Sequence, residues 1–306
     1  MASMGDPVVL IYDEQCAAYA ASGHPERPQR VLSSAARLRE QTKISFEWHA
    51  PRLAPRETIL RAHRLAHHDA VATQKHAFDE DTPSHEGIYH HALRAAGGAM
   101  DAMTHATAGK KAFSLLRPPG HHATPERAMG FCYFNSMGIA VLEAVHQKGL
   151  RVAVFDFDVH HGNGTQDLLW NEPRAVTITS HQMPLWPGTG RPEERGEYDN
   201  VLNLPLPPNS DGSYMRSIYQ EKVFPKIRSS SPDLILLSAG FDAHIDDPLA
   251  ELKWEVDDFA WITREVCNLA TDCCSSRVVS ILEGGYNLDA LAACTKAHIE
   301  NLIEAN

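Results

Sequence analysis

Residues 156–161 read Asp-Phe-Asp-Val-His-His and directly follow the apolar run Val152-Ala153-Val154-Phe155. In an extended chain alternate side chains share a face, so Asp156, Asp158 and His160 project the same way. Two carboxylates and an imidazole side by side are costly unless a cation neutralises them. Such oxygen and nitrogen donors suit zinc, and also iron(II), cobalt or manganese. Catalytic sites of this type usually use three protein ligands and leave one position open. Asp158 and His160 supply two. Asp242, beside Gly240 in a turn-forming stretch, is the natural third, although alone it would read equally as a turn or helix-capping residue.

Other reactive groups follow. His121-His122 come after Arg117-Pro118-Pro119-Gly120, where proline fixes φ and glycine permits a sharp turn. A tandem histidine pair beside a metal suggests a general base and a general acid for hydrolysis, with Asp156 placed to orient one of them. Gly284-Gly285-Tyr286 sets a phenol on a turn, where it could polarise a carbonyl and bind a developing oxyanion. The stretches Gly130-Phe131-Cys132-Tyr133-Phe134-Asn135 and Leu185-Trp186-Pro187-Gly188-Thr189-Gly190 could wall a slot for an aliphatic chain. Tyr133 and Phe134 are expected to pack in the core instead.

These groups must be positioned by regular elements. Short β-rich apolar runs at 112–116, 151–155, 175–179, 233–237 and 278–282 alternate with charged, helix-favouring windows. Near-continuous apolar strands separated by helices imply an α/β fold with a mainly parallel central sheet covered on both faces, a three-layer α/β/α domain. Helices are expected near 88–108, 136–148, 213–229, 255–274 and 287–303, the second capped by Asn135 or Ser136. The Pro- and Gly-rich segment 183–212 reads as a long loop. Each of the five strands is followed by polar residues: Arg117 to His122, the Asp/His cluster, Ser180-His181, Ser238 to Asp242, and Glu283 to Tyr286. In open parallel sheets the C-terminal strand edge is where ligands bind, so the active site is expected there.

Composition bounds the remaining possibilities. The chain has 306 residues, 43% of them hydrophobic, enough for one large domain spanning 1–306. It has no apolar run of about 18 residues or more, so no membrane span is expected. Met1 to Asp6 lacks the basic and apolar regions of a secretory signal and is compatible with a cloning remnant. A net charge of −11 opposes direct nucleic-acid binding. Six cysteines without a CxxC pair suggest reduced thiols and a cytoplasmic protein.

Taken together these residues resemble the histone deacetylase family of the arginase/deacetylase superfamily, most closely its class II and bacterial amidohydrolase-like members. The segments that carry the resemblance are Gly23–Pro28, Arg117–Ala123, Gly130–Asn135, Asp156–Gln166, Pro187–Gly190, Ser238–Pro248 and Leu282–Leu288, in family order. The resemblance implies Asp158, His160 and Asp242 as zinc ligands, with Fe2+ or Co2+ as possible substitutes in vivo. It implies His121 and His122 as the catalytic pair, His122 being the general base, with Asp156 orienting His121 and Asn163 facing His122. Tyr286 would bind the substrate carbonyl. Gly130, Phe131, Trp186 and Gly284 would line the acyl-lysine site, with Leu249 at its rim. A structural potassium ion would sit near Asp156, Asp158, His160, Thr179 and Ser180. The N-terminal third matches least, which leaves the substrate-contacting acid open among Asp79, Asp81 and Glu86.

The activity so implied is zinc-dependent hydrolysis of N-acetyl or longer N-acyl lysine amides in proteins or peptides. Acetylated polyamines or other small acylated amines are the alternative substrates, although Leu249 stands where a polyamine-selective branch carries Glu. A non-catalytic acyl-lysine binding module is the alternative of another class. A binuclear manganese site would need more carboxylates than the cluster offers. Nothing in the sequence sets the oligomeric state.

Overall fold

The computed structural model describes residues 7–41 and 44–304. Met1 to Asp6, and with them the expectation for the N-terminus, lie outside the described residues. The strands are β1 (Val8–Ile11), β2 (Phe46–His49), β3 (Ala112–Ser114), β4 (Val152–Asp156), β5 (Ala175–Gln182), β6 (Val201–Leu206), β7 (Leu234–Ala239) and β8 (Val278–Leu282). They form one sheet in the order β2-β1-β3-β8-β7-β4-β5-β6, parallel throughout.

The helices are α1 (Gln29–Glu40), α2 (Arg56–Ala62), α3 (Leu65–Thr73), α4 (Ile88–Thr107), α5 (Ser136–Lys148), α6 (Asn163–Leu169), α7 (Gly212–Ile218), α8 (Phe224–Ser230), α9 (Val256–Cys274) and α10 (Leu288–Glu304). In one helical group α10 packs on α1 and α9; in the other α4 and α2 pack on α5. The result is the expected α/β/α arrangement around a parallel sheet.

Burial explains the strands. Every residue of β4, β7 and β8 is buried. Each large apolar side chain so placed contributes roughly 1.5–3 kcal/mol, and the buried Ser280 in the middle of β8 is satisfied by His298 at 2.7 Å. Helix α5 begins as expected at Asn135, whose side-chain oxygen accepts the Gly138 N–H at 2.7 Å. It ends on Gly149 at φ 70°.

Three expectations need correction. The helix at 213–229 is interrupted by a π turn, Tyr219–Val223, between α7 and α8. The segment 183–212 is not all loop, because it contains β6, an edge strand that tolerates Pro205. Strand β5 runs on through Ser180 and His181 to Gln182, beyond its expected end. Among the described residues no helix is long and apolar enough to cross a membrane. All six cysteines are free.

The register brings the reactive residues together. Asp156 at the end of β4 pairs with Thr179 on β5 and with Ser238 on β7, and Ser238 pairs in turn with Ile281 on β8. The loops that leave these strands therefore emerge at one level on one edge.

Candidate active site

Asp158, His160 and Asp242 converge at that edge. Their ligand-bearing atoms all lie within 4.8 Å of one another, the one such group of His, Cys, Asp or Glu among the described residues. His160 Nδ1 lies 3.2 Å from Asp158 Oδ1 and 3.1 Å from Asp242 Oδ2. Both carboxylates are fully buried. Backbone N–H groups hold them: Gly284 donates to Asp158 Oδ2 at 2.8 Å and Val159 to Asp242 Oδ1 at 2.9 Å.

Two glycines make the cradle. A Cβ at Gly240 would sit 2.1 Å from Asp158 Oδ2, and one at Gly284 would sit 2.2 Å from Asp242 Oδ2. Gly284, expected on the substrate wall, is thus placed against the two carboxylates.

Electrostatics match a cation-binding group. Burial opposes charge on His160, but its hydrogen bonds to Asp158 and Asp242 prevail and raise its pKa to about 10. Burial would likewise lift Asp158, yet the charges of His121 and His160 and the His160 hydrogen bond hold it far below the usual range. Asp242 moves up, through burial and then through the charge of Asp158. A divalent cation can replace the shared proton of such a set, so these donors fit a metal ion.

The tandem histidines lie beside this group, their ring centroids 3.9 Å apart. His121 Nδ1 is 3.0 Å from Asp156 Oδ2, and His122 Nδ1 is 2.8 Å from Asn163 Oδ1. Both histidines are buried. The partners differ in charge, and so do the outcomes. For His121, burial is outweighed by Asp158, Asp156 and Glu283, and its pKa rises to about 10. For His122, burial followed by the charges of His121 and His160 pushes the pKa well below its ordinary value. Asp156 moves up to about 6 through burial, against the pull of His121.

A cavity of about 220 Å³ opens onto His122 and His160. Gly130, Phe131 and Trp186 form its walls, joined by Leu185, Leu249 and Tyr286. The Trp186 ring stands edge-on to His122 with centroids 4.7 Å apart. Gly130, at φ 55°, has no room for a side chain: a Cβ would meet Trp186 Cη2 at 2.4 Å and His122 Cδ2 at 2.7 Å. Phe131, at φ 69°, is fixed by its N–H to Thr82 Oγ1 at 3.1 Å and packs edge-on to Tyr286 at 5.7 Å. Tyr133 and Phe134 are buried in the core, as expected.

The acids left open by the sequence separate here. Asp81 lines the cavity. Asp79 instead accepts the Gly130 N–H at 3.3 Å, and Glu86 lies in a different groove beside Tyr89. Tyr286 is 7% exposed. Burial, partly offset by Arg30, pushes its phenol well above the usual range, so it keeps its proton. The Arg30 guanidinium lies 4.8 Å over its ring.

The cation residues expected around Asp156 divide. The Ser180 hydroxyl bonds to Tyr219. The buried Thr179 Oγ1 has no hydrogen-bond partner, nor has Ser238 Oγ, and these two residues flank Asp156 in the sheet. Unpaired buried hydroxyl oxygens fit a monovalent cation.

Three residues escaped the sequence reading. Glu283 accepts the N–H groups of Gly120 and His121 at 2.7 and 3.1 Å, anchoring the histidine pair. Arg30 donates to the carbonyls of Gly285, at 2.6 Å, and Glu283. Asp247 accepts the Tyr286 N–H at 2.7 Å. Glu283 and Asp247 lie inside segments already singled out, so adjacency was the available signal; Arg30 lies just beyond Pro28, with none.

Comparison with known proteins relates nearly the whole chain to one family. Residues 24–302 match the histone deacetylase domain family. The chain is 38% identical to uncharacterized protein slr0245 of Synechocystis sp., across 91% of this chain and 92% of that one. It is 34% identical to a probable deacetylase of Archaeoglobus fulgidus, covering 95% and 84%. It is 36% identical to a histone deacetylase-like amidohydrolase of Pseudomonas aeruginosa, covering 92% and 78%. Among solved structures, the HDA15 HD domain superposes with a TM-score of 0.89 at 31% identity, covering 97% of this chain and 89% of that one.

Proposed function

Because the chain belongs to the histone deacetylase family, we propose that it is a zinc-dependent amidohydrolase. Its substrates in this reading are acetylated, or longer-chain acylated, lysine side chains of proteins and peptides. Residues 1–306 act as one catalytic domain. The observation that carries the reading is the largely apolar cavity of about 220 Å³ that has Asp81, His122 and His160 in its lining.

Each residue has a role that its surroundings support. Phe131 and Trp186 flank the aliphatic stem of the acyl-lysine, and Leu249 meets it at the rim. The Asp81 carboxylate accepts from the substrate backbone. Asp158, His160 and Asp242 hold the zinc ion. When bound, zinc polarises the amide carbonyl and makes water more acidic. His122 donates its Nδ1 proton to Asn163, so its bare Nε2 accepts the proton of the attacking water. His121, kept charged by Asp156, balances the growing negative charge. Tyr286 donates its phenol proton in a hydrogen bond to the carbonyl oxygen as that charge develops. The histidine pair then returns a proton to the leaving amine. A potassium ion beside Asp156 and Thr179 completes the reading, supported by the unpaired hydroxyls of Thr179 and Ser238.

The test is release of the free acid by zinc-loaded protein, acetate from an acetyl-lysine peptide, acetylputrescine and acetylspermidine, and the corresponding longer carboxylate from longer acyl-lysine peptides. The acetyl-lysine peptide is expected to have the highest kcat/KM among the acetylated amines. A higher value on the polyamines would move the assignment to small amides. Tight peptide binding without acetate release would make the protein a binding module.

A further inference from the structure

Tyr286 follows two glycines, and Gly285 has φ 119°. Such a turn has little stiffness of its own. Yet a tyrosine that stabilises a developing charge must already be in place when the charge appears. The turn is therefore held from outside, peptide by peptide. The Gly284 N–H donates to Asp158 and its carbonyl accepts from the Phe241 N–H at 3.1 Å. Arg30 holds the Gly285 carbonyl. What remains is Tyr286 itself.

That last peptide is held by one carboxylate. Asp247 Oδ2 accepts the N–H of Tyr286 at 2.7 Å and of Asn287 at 3.3 Å. Its Oδ1 accepts the N–H of Leu249 at 3.1 Å. Asn287 adds a second tie, its Nδ2 donating to the Asp246 carbonyl at 3.0 Å. Asp247 is 7% exposed. Burial and the charge of Asp242 push its carboxyl up to about 7, while the three N–H groups favour the charged form that accepts all of them. One buried side chain thus joins the turn bearing Tyr286 to the loop bearing Leu249, both of which line the cavity.

We propose that Asp247 is a positioning residue for Tyr286, fixing the tyrosine by its backbone and coupling it to the rim at Leu249. The proposal rests on the assignment of Tyr286 as the carbonyl donor. It separates Asp247 from the metal ligands: its substitution should leave metal binding intact and act on turnover through Tyr286.

The test is a double-mutant cycle of Asp247→Asn and Tyr286→Phe on the zinc-loaded enzyme, with zinc content measured for each variant. Asp247→Asn keeps the shape but has one acceptor oxygen instead of two. It should lower kcat about 10- to 100-fold, the scale of a small misplacement of a catalytic group, with KM within about twofold. Added to Tyr286→Phe it should cost little more, because its effect passes through the missing hydroxyl. Asp247→Glu, which keeps the charge but moves the carboxylate, carries the same expectation if the Asn variant does not fold. In parallel, 3-fluorotyrosine in place of Tyr286 should give one sharp fluorine resonance, broadened or split by Asp247→Asn. Full additivity in the cycle, an unchanged resonance, or loss of zinc from the Asp247 variants would overturn the proposal while leaving Tyr286 its role. Full activity of Tyr286→Phe would overturn both.

Discussion

His122 meets Asn163 through a 2.8 Å contact from its Nδ1 to an amide oxygen. An amide orients an imidazole as a carboxylate does, but without a charge that would stabilise the imidazolium. Burial and the charges of His121 and His160 therefore keep His122 neutral, unopposed by a carboxylate partner such as the Asp156 of His121. Replacing Asn163 by Asp should raise the basicity of His122. A general base must be deprotonated to act, so the acid limb of the kcat/KM profile should move up by about one pH unit or more. Activity should fall on the acid side of the profile while the alkaline side changes little. Superimposable profiles for the two enzymes would remove Asn163 from this role.

Metal binding has a proton signature. Without metal, His160 is held protonated between Asp158 and Asp242, with a pKa of about 10. A metal ion needs the imidazole lone pair, so adding Zn2+ to metal-free protein at neutral pH should release close to one proton from His160. Calorimetry in buffers of different ionisation enthalpy counts it. Affinity should rise with pH through the neutral range, and His160→Ala should abolish the release.

Gly130→Ala tests the cavity wall. Its Cβ would lie 2.4 Å from Trp186 and 2.7 Å from His122, at a positive φ that also disfavours alanine. The variant should raise KM for an acyl-lysine peptide by about tenfold or more, the loss of roughly one tight contact, about 1.4 kcal/mol. The Trp186→Ala exchange should partly relieve it. Equal KM values for Gly130→Ala and the parent enzyme would show that the wall does not limit entry.

What could be read in the chain depended on how the information was encoded. Strands β4, β7 and β8 were legible because they are buried along their whole length and therefore near-continuously apolar. Strand β6 was not, because Pro205 and Asn203 disguise it, and only its place at the sheet edge makes the proline harmless. Strand β2, half-exposed along Phe46–His49, lacks any run to recognise. In the candidate site, Asp158 and His160 stood out by type and spacing, whereas Asp242 was singled out only because that pair called for a third donor; the three do converge. Asp79 and Asp81 could not be told apart, since two carboxylates in one polar loop differ only in where the backbone aims them. Arg30 acts on the backbone of Gly285, 255 positions away, a relationship that leaves no local pattern, and the tie of Asp247 to Tyr286 shows in the sequence only as adjacency to a marked segment.

Acid should weaken the fold in a defined window. His298 is fully buried between Thr263, at 2.6 Å, and Ser280, at 2.7 Å. Burial lowers its pKa to about 3. A pKa depressed below the unfolded value of about 6.5 gives stability that is complete above that pH and lost as pH falls toward 3. At pH 5.5 the loss from this one group is about 1.4 kcal/mol. His298→Gln removes the titration. The variant's deficit against the parent, measured by urea denaturation, should therefore shrink by about that amount between pH 7.5 and pH 5.5. A deficit that stays constant would mean that His298 is not buried neutral.

The ties across the sheet edge join residues remote in the chain. His160 meets Asp242 across 82 positions, Asp158 meets Gly284 across 126, Gly120 meets Glu283 across 163, and Arg30 meets Gly285 across 255. Loop-closure entropy must be met before contacts of this span form, so they arise late in folding. A fragment that carries Asp158 and His160 still lacks Asp242, 82 positions beyond His160, and so holds only two of the three donors. A ligand bridging Asp158 and Asp242 binds only the finished sheet, and its binding energy is shared by the whole domain. Occupancy of the site therefore doubles as a report that folding has gone to completion.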